Sequence, residues 1–129
     1  MEGDLKQVSC ASFEEFEKAA DEHKASENVF WYFISNNDES TGEAWCPDCR
    51  KAKPVVDEAF AAHAPKPAVL ITTFCGERSY WKDQQNPFRT SDLTKITGVP
   101  TLLRVSTGKR LGDDECQDPE KVKALLAAA

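Results

Sequence analysis

No apolar run in the sequence comes near the roughly 18 residues that a membrane span needs. Met1 to Cys10 has neither a basic start nor an apolar stretch, so neither a membrane anchor nor an export signal is expected. Basic charge is also short: 16 lysines and arginines stand against 22 aspartates and glutamates, a net charge of −6. That sign opposes phosphate backbones and anionic lipid surfaces, which argues against nucleic acid or a membrane as partner. No repeat, low-complexity tract or Gly/Ser-rich linker divides the 129 residues. A length near the mode for one domain then predicts a single domain over 1–129, with no second unit to bind a cofactor. The five cysteines are an odd number in a chain long enough to build a core without disulfide staples, which points to a reducing cytoplasm.

What is present is an ordinary globular composition in which strand and helix patterns alternate. A short strand around Gln7–Cys10 precedes Ser12-Phe13-Glu14-Glu15, whose hydroxyl and carboxylate stand at capping-box spacing and open a helix to about Lys24. Phe13, Phe16, Ala19 and Ala20 recur on one face of that helix as core. Val29–Ile34 is a continuous aromatic and β-branched run, the mark of a strand buried on both faces. Ser35–Glu43 reads as loop, a second helix runs from near Cys46 to His63 with a kink expected at Pro54, and Ala68–Phe74 is the next buried strand. Cys75–Gln85 reads as irregular. Asn86-Pro87 caps and starts a third helix that Gly98 ends. Leu102–Ser106 and Arg110–Gly112 flank a Thr107-Gly108 turn as a hairpin, and Asp118-Pro119 opens the last helix. The expected architecture is α/β, a central mixed sheet with helices on both faces.

The chemistry concentrates in Trp45-Cys46-Pro47-Asp48-Cys49, between a buried strand and a helix. Spacing alone proves little, since five cysteines scattered at random would put some pair three apart in roughly one chain in seven. Context carries the signal. The reactive form of cysteine is the thiolate, and a helix N-terminus stabilises it with free backbone N–H groups and the positive end of the helix dipole. Asp48 opposes this, but an exposed charge about 4 Å away is worth only about 1 kcal/mol in water. Cys46 is therefore expected as the nucleophile that attacks a substrate disulfide, and Cys49, one turn on and more buried, as the thiol that resolves the mixed disulfide. Gly98-Val99-Pro100-Thr101 lies ahead of an apolar strand. A cis Pro100 would turn the Val99 backbone towards the sulfurs, where an extended substrate segment could pair with it.

Trp45-Cys46-Pro47-Asp48-Cys49, Pro54 and Val99-Pro100-Thr101-Leu102-Leu103 resemble the thioredoxin superfamily. With Tyr80-Trp81-Lys82-Asp83 and Phe88-Arg89, they are similar within it to the family of the 14 kDa thioredoxin-related protein. The resemblance implies a thioredoxin-like fold and a cytoplasmic disulfide reductase with no bound cofactor, recharged with electrons from NADPH by thioredoxin reductase. The substrates implied are disulfide-containing proteins or small disulfides such as cystine, and a monomer is expected. Cys46 takes the nucleophile role and Cys49 the resolving role, with Trp45, Pro47, Asp48, Val99 and Pro100 supporting them. Relative to ordinary thioredoxin, the loop before the motif is longer and an insertion runs from Gly76 to Gln85. Tyr32 stands where thioredoxin keeps a buried aspartate that helps deprotonate the resolving cysteine. Asp48 or Glu43, through water, is the substitute expected here.

Tyr80 and Trp81 lie on an expected loop, where packing and substrate contact are both open. Arg50, Lys51 and Lys53 read as a solvated helix face, and Cys10, Cys75 and Cys116 as small buried hydrophobes. Two rival readings stay open. A structural zinc site would need four ligands where only one cysteine pair has ligand spacing, so no metal is expected. A redox sensor would use the 46–49 disulfide to switch binding to a partner protein.

Overall fold

A computed structural model describes residues 5–26, 28–65 and 67–127. The strands are β1 (Leu5–Cys10), β2 (Val29–Ile34), β3 (Ala68–Phe74), β4 (Thr101–Arg104) and β5 (Arg110–Leu111). They form one sheet in the order β1-β3-β2-β4-β5. β1, β3 and β2 run parallel, whereas β4 and β5 close the other side as an antiparallel hairpin. The helices are α1 (Phe13–His23), α2 (Pro47–His63), α3 (Arg78–Lys82), α4 (Pro87–Thr90) and α5 (Pro119–Ala127), with a 3-10 turn at Glu115–Gln117.

Alternation along the strands builds two cores. Trp31 and Phe33 of β2 pack with Phe16 of α1, Ile71 of β3 and Phe88 of α4 on one face. Phe30 and Tyr32 turn to the other face, against Val56 and Phe60 of α2 and Val122 and Leu125 of α5. Being covered on both sides explains why β2 is uniformly apolar rather than alternating.

Ser12 caps α1 as expected, its Oγ accepting from the Glu15 N–H at 3.2 Å. The Glu15 carboxylate returns to the Ala11 N–H at 2.9 Å, one residue before the cap. Asn86 caps α4 through the Arg89 N–H at 3.2 Å, with Pro87 as the first helical residue.

Three expectations need correction. The segment Cys75–Gln85 holds a helix, α3, too short for its one buried residue, Trp81, to make a period. Trp81 is held by Arg89, whose guanidinium lies 4.2 Å over the indole, and by Asn86, which donates to the Trp81 carbonyl at 3.0 Å. The third helix ends at Thr90, not Gly98, because the chain folds back to bury Thr94 and Ile96, which both donate to the Phe88 carbonyl. The hairpin strands are shorter than read: β4 stops at Arg104, where Gly108, at φ +73°, donates back to the Arg104 carbonyl.

Candidate active site

Cys46 is the N-cap of α2, in extended backbone, and Pro47 fills the first helical position, where a missing N–H costs nothing. Cys46 is 8% exposed and Cys49 3%, and both are free thiols. The Cys46 thiol is pulled down from its ordinary value of 9 to about 6. The largest cause is a hydrogen bond from Cys49; backbone N–H groups of Cys49 and Asp48 add to it, while burial and the Asp48 charge oppose it. Cys49 moves the other way, raised first by that same bond to Cys46 and then by burial. One thiol is poised to ionise and the other to keep its proton.

Ser35, immediately after β2, is fully buried beneath the pair. Its Oγ accepts from the Cys46 N–H at 3.3 Å, and hydrogen bonds from Ser35 are what pull the Cys49 thiol back down. Nothing in the sequence singled out this residue, which ends an apolar run like any loop serine. Across from it the Val99–Pro100 peptide is cis, and the Cys46 thiol donates to the Val99 carbonyl at 3.5 Å. Val99 therefore meets Cys46 across a sequence distance of 53 residues.

Trp45 is half-buried and fixed at both ends. Its backbone N–H donates to the Asn36 carbonyl at 3.2 Å and its indole N–H to the Gly76 carbonyl at 3.0 Å. The Arg78 guanidinium covers its ring at 4.8 Å. The segment after β3 thus buttresses the aromatic beside the sulfurs, a role for Gly76 and Arg78 that spacing could not reveal. Gly76 has φ +98°, and a Cβ there would collide with the Tyr80 ring.

The remaining sequence candidates separate. Tyr80 is 43% exposed on this rim, but Trp81 is 6% exposed and belongs to the core, so packing is its role. Asp48 accepts from Gln117 Nε2 at 3.3 Å, which ties the motif to the turn before α5. Arg50 is more than a solvated face, since it donates to the Ala44 carbonyl at 2.6 Å and pins the loop before the motif. Cys10, Cys75 and Cys116 are buried, and burial pushes all three thiols up, Cys116 to about 12. Among the described residues no group of three or more His, Cys, Asp or Glu side chains converges to hold a metal ion. No helix of the described residues is long and apolar enough to cross a membrane.

Behind the pair lies a cavity of about 430 Å³ between α2 and the sheet, lined by Tyr32, Glu43, Cys49, Lys53 and Asp57 among others. Of the two expected proton acceptors, Glu43 is on its wall and Asp48 is not.

Residues 9–128 match the family described as "Thioredoxin domain-containing protein 17-like, thioredoxin domain". Thioredoxin domain-containing protein 17 of Danio rerio is 42% identical over 120 residues, 93% of this chain and 94% of that protein. The protein of the same name from Homo sapiens is 40% identical over 121 residues, 94% of each. A solved redox protein from Chlamydomonas reinhardtii superposes with a TM-score of 0.57 at 18% identity, over 99% of this chain and 37% of that one, which is a likeness of fold. Matched over almost its whole length, with its cysteine pair at the head of α2, the chain belongs to the thioredoxin domain-containing protein 17-like family and has a thioredoxin-like fold.

Proposed function

We propose that this chain is a dithiol disulfide reductase of the cytoplasm. The observation that carries the reading is the opposite displacement of two adjacent thiols, Cys46 down and Cys49 up. At neutral pH Cys46 is a thiolate at the start of a helix. Its sulfur attacks one sulfur of a substrate disulfide; the other leaves as a thiolate and takes a proton from solvent. The mixed disulfide removes the negative charge that kept Cys49 protonated. Cys49 then loses its proton and attacks the Cys46 sulfur, and the second substrate sulfur leaves. The substrate is reduced by two electrons and the protein ends with a 46–49 disulfide. Val99, beside Cys46, offers backbone groups with which an extended segment can pair, and Trp45, Pro47 and Asp48 shape the rim.

Thioredoxin reductase with NADPH returns the protein to the dithiol, so no cofactor is bound by the chain itself. Substrates are disulfide-bearing proteins or small disulfides such as cystine. A net charge of −6 disfavours nucleic acid and anionic membranes as partners, and the chain works as a monomer. The test is a coupled assay of NADPH oxidation with thioredoxin reductase, offering cystine and insulin in turn. Multiple turnovers are expected, lost in Cys46→Ser. A single slow stoichiometric reaction with every substrate would favour the sensor reading instead.

A further inference from the structure

The roles of Cys46 and Cys49 leave open where the proton of Cys49 goes, and the cavity behind it addresses this. Tyr32, on β2, is 5% exposed, and its hydroxyl has no hydrogen-bond partner among the described residues. An unpaired buried hydroxyl costs about 1–3 kcal/mol, so an orphan at such a place calls for a use. Tyr32 and Cys49 both line the cavity, and so does Asp57, eight residues further along α2. At 1.5 Å of rise per residue, Cys49 and Asp57 stand about 12 Å apart along the axis, too far for direct transfer. Burial, and then the nearness of Cys116, Cys49 and Asp57, holds the Tyr32 hydroxyl above its ordinary range. A volume of about 430 Å³ has room for water between polar partners.

We infer that Tyr32 relays the proton of Cys49 through cavity water to the Asp57 carboxylate during resolution of the mixed disulfide, a step that rests on the reductase reading. As the Cys49 sulfur attacks Cys46, its proton passes through cavity water to the Tyr32 oxygen while the tyrosine's own proton passes to a second water and on to Asp57. The bond between Cys46 and the substrate sulfur breaks, and the electron pair leaves with that sulfur. Asp57 then returns its proton to solvent at the exposed rim. Burial holds the Tyr32 hydroxyl protonated, which suits a relay and not a base. The other charged or titratable groups near it are Cys116 from the 3-10 turn, Lys53 and Arg50 from α2 and Glu43 from the loop before the motif. Lys53 pairs with Asp57 at 2.7 Å and keeps the acceptor in place.

Stopped-flow reaction of the reduced protein with dithiobis(nitrobenzoate) separates the steps. Attack by Cys46 releases the first nitrothiobenzoate and attack by Cys49 the second. In Tyr32→Phe and in Asp57→Asn the second release is expected to slow by about ten-fold or more at neutral pH, the low end of what a positioned acid–base group supplies. In Tyr32→Phe it should also become steeply pH-dependent, nearing ten-fold per pH unit as hydroxide takes over. The phenylalanine variant keeps the ring and its packing in the core, and an unchanged melting temperature, measured alongside, excludes a folding defect as the cause of slowing. A second release slowed by less than about ten-fold in either variant overturns the relay and leaves the reductase reading standing; absence of the first release in the parent protein overturns the reductase reading itself.

Discussion

Cys46 and Cys49 are the same chemical group one helical turn apart, and their environments give them opposite behaviour. Backbone N–H groups and the partner thiol surround Cys46, whereas Cys49 is deeper and gives its proton to that bond. Alkylation of Cys46 followed against pH should show a midpoint near 6; a midpoint near that of free cysteine would remove the basis for its role. Cys49→Ser should trap a covalent mixed disulfide through Cys46, visible by intact mass, and full turnover in that variant would refute the division of labour. Ser35→Ala should cost about 1–3 kcal/mol in chemical denaturation, because it strands the buried Cys46 N–H. It should also slow resolution, since Ser35 favours the Cys49 thiolate. The two cysteines were legible in the sequence through their spacing and neighbours. Ser35 was not, because a lone serine carries no pattern until the fold sets it under the pair.

At the scale of elements, the long ones could be read, short α4 and the hairpin were read except for their ends, and α3 was not read. α2 and β2 declare themselves by length, capping proline and an unbroken apolar run. α3 has a single buried side chain and exists because Trp81, Asn86 and Arg89 hold one another. Gly76 joins that unit to Trp45. Gly76→Ala should lose about 1–3 kcal/mol through backbone strain and the Tyr80 clash. A shift in tryptophan emission should accompany it as the Trp45 indole loses its carbonyl partner. A second joint is Arg104, buried on β4, which donates to the carbonyls of Leu125 and Leu126 at 2.9 and 2.7 Å and to Asn28 Oδ1 at 2.9 Å. Arg104→Ala should destabilise by about 3 kcal/mol or more, read from the denaturation midpoint, because it uncaps the end of α5 and hollows the core.

For the molecule as a whole, the thiols couple stability to pH. In the unfolded chain Cys46 takes its ordinary value near 9 and in the fold about 6, so between those limits the unfolded state holds more protons and stability rises with pH. The contribution is fully present above about 9 and is lost as pH falls through 6. Cys49, Cys75 and Cys116 are raised instead, so what they contribute is intact below about 9 and declines above it. Under reducing conditions the parent protein should therefore gain in melting temperature over Cys46→Ser from pH 6 to about 9, and a flat difference would contradict the depressed thiol. The sequence alone determined the α/β architecture, the main strands and helices and the place of the cysteine pair at the head of a helix, because periodicity, caps and a five-residue motif are local properties of the chain. Only the tertiary structure decided that Val99 meets Cys46, that Trp81 is core while Tyr80 is rim, that Ser35 bonds to the cysteine pair, and that Tyr32, Cys49 and Asp57 line one cavity. Those relations join residues distant along the chain, and burial, hydrogen bonding and charge act through space, so they come into being only when the sheet closes under α2.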